Sequence, residues 1–471
     1  MRLIKLVFAF TLFIISANAQ ENLPVIKSNK AVISIRDGKT FKRSGWNLSP
    51  QAKPDVYKAE LINGKSHKVT FITDVDSISF KVEEGKKYDF IIEWDGKPCY
   101  QQIIGTKFIP AAHFDKKYQR KHKGKISVEI PEVYELVNVV IAITPTGISN
   151  KNLVYQKSDY YKAMRAWFDK FRDHPLVAGI DAEIKKDFYA YFKLKMNGYS
   201  YEFDKRGKIV QSKIYDRTGF PGEALNHLRP FISQLQSFAD SADFLRFYSE
   251  NRKTYAAQET FLRDTANIPE MKRWLDKNFP SSNDYNSYKV IFSPLVGYNQ
   301  SASWFESNNF KELHSHVNFP YREDLQVWFK DIQLTENAEI VIRGTTIFGE
   351  INHGYINPES DKLAEEIAKA TSNRDRWVDV KMDKNYYPGI SAFNEYMNWG
   401  LISLRILDYA PESEQQKLIA FIDNTMTRGR GFPQFEHFDK FLIDLYRNRA
   451  QGQTIADLYP KIIEWFASVN K

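Results

Sequence analysis

The residues best suited to chemistry lie in the segment Thr345–Pro358, which reads TTIFGEINHGYINP. Glu350 and His353 are three residues apart, so a helix over this segment would place them side by side on one face. An imidazole can bind a metal ion, and a neighbouring carboxylate can take a proton from a water molecule. Thr345 can cap such a helix.

A second carboxylate of interest follows 45 residues after Glu350. Glu395 lies in the sequence FNEYM, which opens an apolar helical pattern containing Trp399 and Leu401. One helix and a loop would fit in the gap between the two carboxylates. The spacing is therefore compatible with Glu395 lying beside the first helix.

These stretches carry a family resemblance. The region 284–400 resembles a secreted bacterial family of unassigned function whose core is similar to gluzincin-type zinc metallopeptidases. In their H-E-x-x-H motif two histidines bind zinc, the glutamate polarises the metal-bound water, and a glutamate on a later helix completes the ligands. The resemblance implies that His353 and Glu395 are zinc ligands and that Glu350 is the general base.

Gly349 leaves the implied site one ligand short. It stands where the first histidine of the motif belongs, so the motif here is the degenerate G-E-I-N-H. A catalytic zinc normally has three protein ligands and one water. His314 and His316, which share one face if their segment is a strand, are possible additional ligands. Glu350 could also coordinate the metal but would then be lost as a base. An E-x-x-H pair without metal, and histidines with only structural roles, remain open.

Three further residues are candidates for substrate binding. Tyr355 and Asn357 follow the E-x-x-H pair and could donate hydrogen bonds to a substrate carbonyl. Asn394 precedes Glu395. Tyr355 and Asn357 could equally end the helix before Pro358.

Two functions follow from these residues, and the sequence leaves open whether the protein is an enzyme. The first is an exported zinc-dependent peptidase in which Glu350 takes a proton from the metal-polarised water during hydrolysis of a peptide or protein substrate. The alternative is a catalytically inactive relative of that fold that binds peptides or glycans, or has a structural role, in the cell envelope.

The first 19 residues predict export. Arg2 and Lys5 precede an apolar run, and the small residues Ala17 and Ala19 follow it. This is the pattern of a signal peptide that is cleaved before Gln20. The apolar run is shorter than a membrane-spanning helix requires. We therefore expect a periplasmic or secreted protein without a transmembrane segment after cleavage.

Composition excludes other classes of protein. The 471 residues include 43% hydrophobic and 26% charged residues, a globular balance that rules out a wholly disordered chain. The net charge of +8 is modest, and the basic cluster at 116–125 contains no aromatic residue besides Tyr118, so nucleic acid is not an expected partner. Cys99 is the only cysteine, so no intramolecular disulfide can form.

The hydrophobic patterns predict an α+β fold with two parts. Residues 26–110 alternate with strand period between turn signals, which indicates an antiparallel, sandwich-like β module. After a basic linker at 113–125, helical patterns dominate 125–471, a mostly helical, zincin-like domain with a small mixed sheet. This part could divide into lobes at 125–280 and 281–471. Within it, 339–343 (EIVIR) is predicted to be a strand.

Overall fold

A computed structural model describes residues 23–470 except 39, 51, 62–63, 221–222, 224, 283, 331–332 and 380–388. The predicted signal peptide, residues 1–19, lies outside the described residues. The chain forms two compact units that divide between Phe108 and Ile109. Among the helices of the described part, none combines the length and apolar character needed to cross a bilayer.

The N-terminal unit is built from strands, as its alternating hydrophobic pattern predicts. Its strands are β1 (Val25–Ser28), β2 (Val32–Asp37), β3 (Thr40–Asn47), β4 (Asp55–Leu61), β5 (His67–Ile72), β6 (Ser77–Val82), β7 (Lys87–Trp94) and β8 (Lys97–Lys107).

These strands form two four-stranded sheets. The sheet with strand order β3-β2-β5-β6 is antiparallel throughout. In the sheet with order β1-β7-β8-β4, the central hairpin is antiparallel and each outer strand runs parallel to its neighbour. Side chains from both sheets form one core, in which the rings of Phe71 and Phe90 lie with centroids 4.8 Å apart. Cys99 is buried in this core, and burial raises the pKa of its thiol.

The C-terminal unit is mostly helical. Its helices are α1 (Lys116–His122), α2 (Glu132–Ile143), α3 (Pro145–Ser149), α4 (Asp159–Phe168), α5 (Pro175–Lys186), α6 (Ala190–Asn197), α7 (Ile232–Ser241), α8 (Phe244–Glu250), α9 (Arg252–Thr260), α10 (Ile268–Asn278), α11 (Arg322–Trp328), α12 (Glu336–Arg343), α13 (Thr345–Asp361), α14 (Ala364–Ala370), α15 (Arg374–Trp377), α16 (Ile390–Tyr409), α17 (Glu412–Asn424), α18 (Phe435–Arg447) and α19 (Tyr459–Val469).

A small mixed sheet runs through this unit. Its strands are β9 (Ile126–Glu129), β12 (Ser287–Ser293), β13 (Ser301–Ser307) and β14 (Phe310–Asn318), and a separate hairpin is formed by β10 (Tyr201–Phe203) and β11 (Ile209–Gln211). The strand order is β13-β14-β12-β9, with β12 parallel to both of its neighbours and β13 antiparallel to β14. The predicted fold class, a β domain followed by a helical domain with a small mixed sheet, is confirmed.

Helix α13 packs on one face of the mixed sheet. Gly354 lies so close to Leu313 of β14 that an added Cβ would approach the leucine methyl groups to about 3.0 Å. The Tyr355 hydroxyl lies 2.7 Å from that of Tyr288 on β12, which is the register partner of Leu313. Because successive side chains of a strand point to opposite faces, His314 belongs to the other face.

Three local predictions differ from the structure. Residues 339–343 are helical and belong to α12, because the Thr335 side chain caps the Ala338 N–H and acidic residues fill the first turn, where they favour a helix over the alternating strand pattern. Helix α13 continues through Pro358 to Asp361, since one lost hydrogen bond near its end is offset by buried residues beyond it. The segment predicted as a linker contains α1, and Phe114 packs in a small core of the C-terminal unit.

Candidate functional site

Helices α13 and α16 are joined by side-chain amides at the site. The Asn352 amide donates to the Asn398 carbonyl at 3.1 Å, and the Asn398 amide donates to the Gly349 carbonyl at 3.2 Å. Gly349 permits this approach, because a Cβ there would lie 3.2 Å from the Asn398 Oδ1. Gly349, which replaces the first histidine of the metallopeptidase motif, therefore also allows α13 and α16 to pack closely.

The structure brings His353 and Glu395 together. The His353 Nε2 lies 3.7 Å from the Glu395 Oε1, and the two side chains are 18% and 10% exposed. An imidazole and a carboxylate from distant parts of the chain thus lie close together, and each side chain keeps a small exposed surface. The Asn357 Oδ1 lies 3.4 Å from the His353 Nδ1 and orients the ring from the other side.

Both groups already have partners. The Asn398 Nδ2 lies 2.5 Å from the His353 Nε2, so the amide donates to the lone pair that would bind a metal. An Arg430 guanidinium nitrogen lies 3.1 Å from the Glu395 Oε2. The same guanidinium lies 5.1 Å from the centre of the Trp399 ring, a cation–π distance.

Arg430 is the site residue that sequence reasoning missed. It follows a π-helical turn, Thr425–Gly429, at the end of α17. Its local sequence, RGRG, is too short to form a phosphate-binding loop. No local signal could have found it, because its partner Glu395 belongs to a different helix.

Glu350 and Lys195 are two further ionisable groups whose charges act on each other. Burial raises the pKa of Glu350 to about 7, while nearby His353 opposes this rise and Glu395 reinforces it. Burial lowers the pKa of Lys195 to about 7, and the Glu350 charge partly offsets that fall. The Lys195 Nζ donates to the Asn299 Oδ1 at 2.5 Å and lies 4.8 Å from the centre of the Tyr191 ring.

The proposed additional ligands, His314 and His316, are not brought to His353. They share one face of β14, as predicted, but it is the face turned away from α13. The His314 Nε2 lies 2.8 Å from the Glu312 Oε1, and burial lowers the pKa of His314. His316 is fully buried, and among the described residues neither of its ring nitrogens has a hydrogen-bond partner.

Of the three substrate-binding candidates, Tyr355 lies in the core, whereas Asn357 and Asn394 lie beside His353 and Glu395. Tyr355 is fully buried and donates to the Asp276 Oδ1 at 2.6 Å, so it cannot reach a substrate. Asn357 contacts His353 as described above. Asn394 is 8% exposed, and its Oδ1 has no hydrogen-bond partner among the described residues. Its position next to Glu395 keeps it a candidate.

The residues present do not fit a zinc ion. Within the described ranges, no group of three His, Cys, Asp or Glu side chains is placed to hold a metal ion. One ring nitrogen of His353 is occupied by an amide, and the Glu395 carboxylate is held by a guanidinium. The negative charge that a metal would balance is balanced here by basic side chains.

The chain matches no protein-family model, no curated protein and no solved structure.

Proposed function

We propose that this protein is a catalytically inactive relative of gluzincin-type metallopeptidases that binds an extended peptide in the cell envelope. The observation that carries the proposal is the ion pair between Arg430 and Glu395, which uses the carboxylate that a zinc ion would need. The amide of Asn398 at the His353 ring supports it, as does the glycine at position 349.

A peptide is favoured as ligand by the edge of the mixed sheet. Strand β13 pairs with β14 on one side only, and α13, which carries Glu350 and His353, packs beside it. An extended peptide can add to such an edge through main-chain hydrogen bonds. Side chains or carbonyl groups of the peptide could then contact the exposed parts of His353, Glu395 and Arg430. The signal-peptide pattern of residues 1–19 supports export.

Metal content gives the first test. We expect protein purified without chelators to hold less than about a tenth of a zinc ion per chain, because two partnered side chains bind zinc far more weakly than a three-ligand site. Elemental analysis by mass spectrometry measures this directly. Zinc near one ion per chain, together with casein hydrolysis that Glu350→Gln abolishes, would support the peptidase hypothesis and overturn the proposal.

Peptide binding gives the second test. A decapeptide selected from a random immobilised library should bind the wild-type protein equally well with and without a metal chelator. We expect His353→Ala to weaken this binding at least about tenfold, since an imidazole contact to a bound peptide carries about 1.4 kcal/mol or more. His437→Ala, which changes an exposed histidine on α18, serves as the matched control. Binding that needs zinc, or that both variants leave unchanged, would contradict the assignment.

A further inference from the structure

Two carboxyl groups meet where α16, α17 and α18 pack together. Asp439 of α18 is fully buried and lies within hydrogen-bond reach of Asp423 in the last turn of α17. Ser403 of α16 is also fully buried and lies near Asp439. Neither the pair nor the hydroxyl belongs to the site described above.

These groups lack the partners that ionised carboxylates need. Both oxygens of Asp439, the Asp423 Oδ1 and the Ser403 Oγ are buried without a protein hydrogen bond that satisfies ordinary geometry among the described residues. The other ionisable group that acts on the pair is Glu436, an exposed residue of α18, which is also acidic. Asp423 and Asp439 cannot both stay ionised when they lie side by side in a buried position. If they share one proton, a hydrogen bond replaces the repulsion between them.

We infer that one proton shared by Asp423 and Asp439 clamps α17 to α18, and that ionisation of this pair loosens the turn that carries Arg430. The clamp is a pH-sensitive device of the fold. Its effect on ligand binding rests on the proposed function, whereas its effect on stability and on the turn does not.

The electrostatics agree with a shared proton. Burial, and secondarily the charge of Glu436, raises the pKa of Asp423 to about 6. Burial and the neighbouring Asp423 raise the pKa of Asp439. A carboxyl whose pKa is raised on folding holds its proton more tightly in the folded state. The resulting stabilisation is fully present below the ordinary carboxyl pKa of about 4 and is lost as pH rises through the folded-state values.

The connection from the pair to Arg430 is short and ordered. Asp423 is followed by the π-helical turn Thr425–Gly429, and the Thr427 hydroxyl donates to the Asp423 carbonyl at 2.7 Å. The Phe432 N–H donates to the Met426 carbonyl at 3.0 Å, which closes the turn around Arg430. Separation of α17 from α18 would therefore move the guanidinium relative to Glu395.

Asp439→Asn tests the inference, because an amide can donate to Asp423 at every pH. We expect the variant and the wild type to have the same unfolding equilibrium constant at pH 4, where the stabilisation from the shared proton is still present. At pH 8 the constant for the variant should be at least about tenfold smaller, the equivalent of one unit of carboxyl pKa. Urea unfolding measures both values. Asp444→Asn, at an exposed position of α18, is the matched control and should leave the unfolding equilibrium constant unchanged at both pH values.

A second measurement probes the turn that carries Arg430, and its outcome does not depend on a difference in global stability between the two proteins. Trypsin cleavage after Arg428 and Arg430 should accelerate in the wild type between pH 7 and pH 9 more than in Asp439→Asn. Parallel acceleration in both proteins overturns the clamp. Loss of stability in Asp439→Asn at both pH values also overturns it, as does stabilisation of the wild type by added calcium, which would indicate a cation site at the pair.

Discussion

Gly349→His is expected to raise the affinity of this protein for zinc by at least about 100-fold. The substitution restores the histidine that the metallopeptidase motif requires, one helical turn before His353 and on the same face of α13. Partners outside the ligand shell alone change metal affinity 10- to 100-fold, so a missing ligand should change it by at least the upper value. Competition with a chromophoric chelator measures the affinity.

The design of this experiment follows from Asn398. A Cβ at position 349 would lie 3.2 Å from the Asn398 Oδ1, so the amide must shift by a few tenths of an ångström. Asn398→Ala removes this conflict and frees the His353 Nε2, so the double variant should bind zinc more tightly than Gly349→His alone. Gly349→Ala makes the same demand on Asn398 without adding a ligand and is the control. If Gly349→Ala and Gly349→His bind zinc equally weakly, the relation to metallopeptidases loses its main support.

The helices that carry His353 and Glu395 could be predicted from the sequence because each depends on local periodicity, whereas the expectation that the two side chains meet came from the family resemblance. A three-residue spacing places Glu350 and His353 on one helical face, and the later apolar stripe identifies α16 as a helix of the same core. The same logic failed for 339–343, where alternating isoleucines suggested a strand. The cap at Thr335 and the acidic first turn decided the helix, and both lie outside that short window.

The partners of these residues could not be predicted, because they depend on tertiary geometry. His314 and His316 share a face of β14 as expected. The sequence of the strand, however, does not show on which side of the sheet α13 packs. Arg430 reaches Glu395 only because α17 and its terminal turn return to α16. The ion pair at Glu395 therefore depends on a residue with no local signature.

Arg430→Met is expected to lower the free energy of unfolding by about 2 kcal/mol or more at neutral pH. The Glu395 side chain is only 10% exposed, so loss of the guanidinium leaves a largely buried carboxylate without the cation that balances it. Removing one member of a buried charge pair costs about 2–5 kcal/mol, and the 29% exposure of Arg430 favours the lower end of that range. Urea unfolding measures the loss.

A double-mutant cycle separates the ion pair from the other contacts of Arg430, including its packing on Trp399. Glu395→Gln removes the charge that Arg430 balances, so Arg430→Met should cost much less in that background, and the difference gives the coupling energy. Arg428→Met, at an exposed position of the same turn, should change the free energy of unfolding by less than about 0.5 kcal/mol. A coupling near zero would mean that Arg430 does not balance Glu395. The carboxylate would then be available to a metal ion, and only Gly349 and Asn398 would oppose zinc binding at this site.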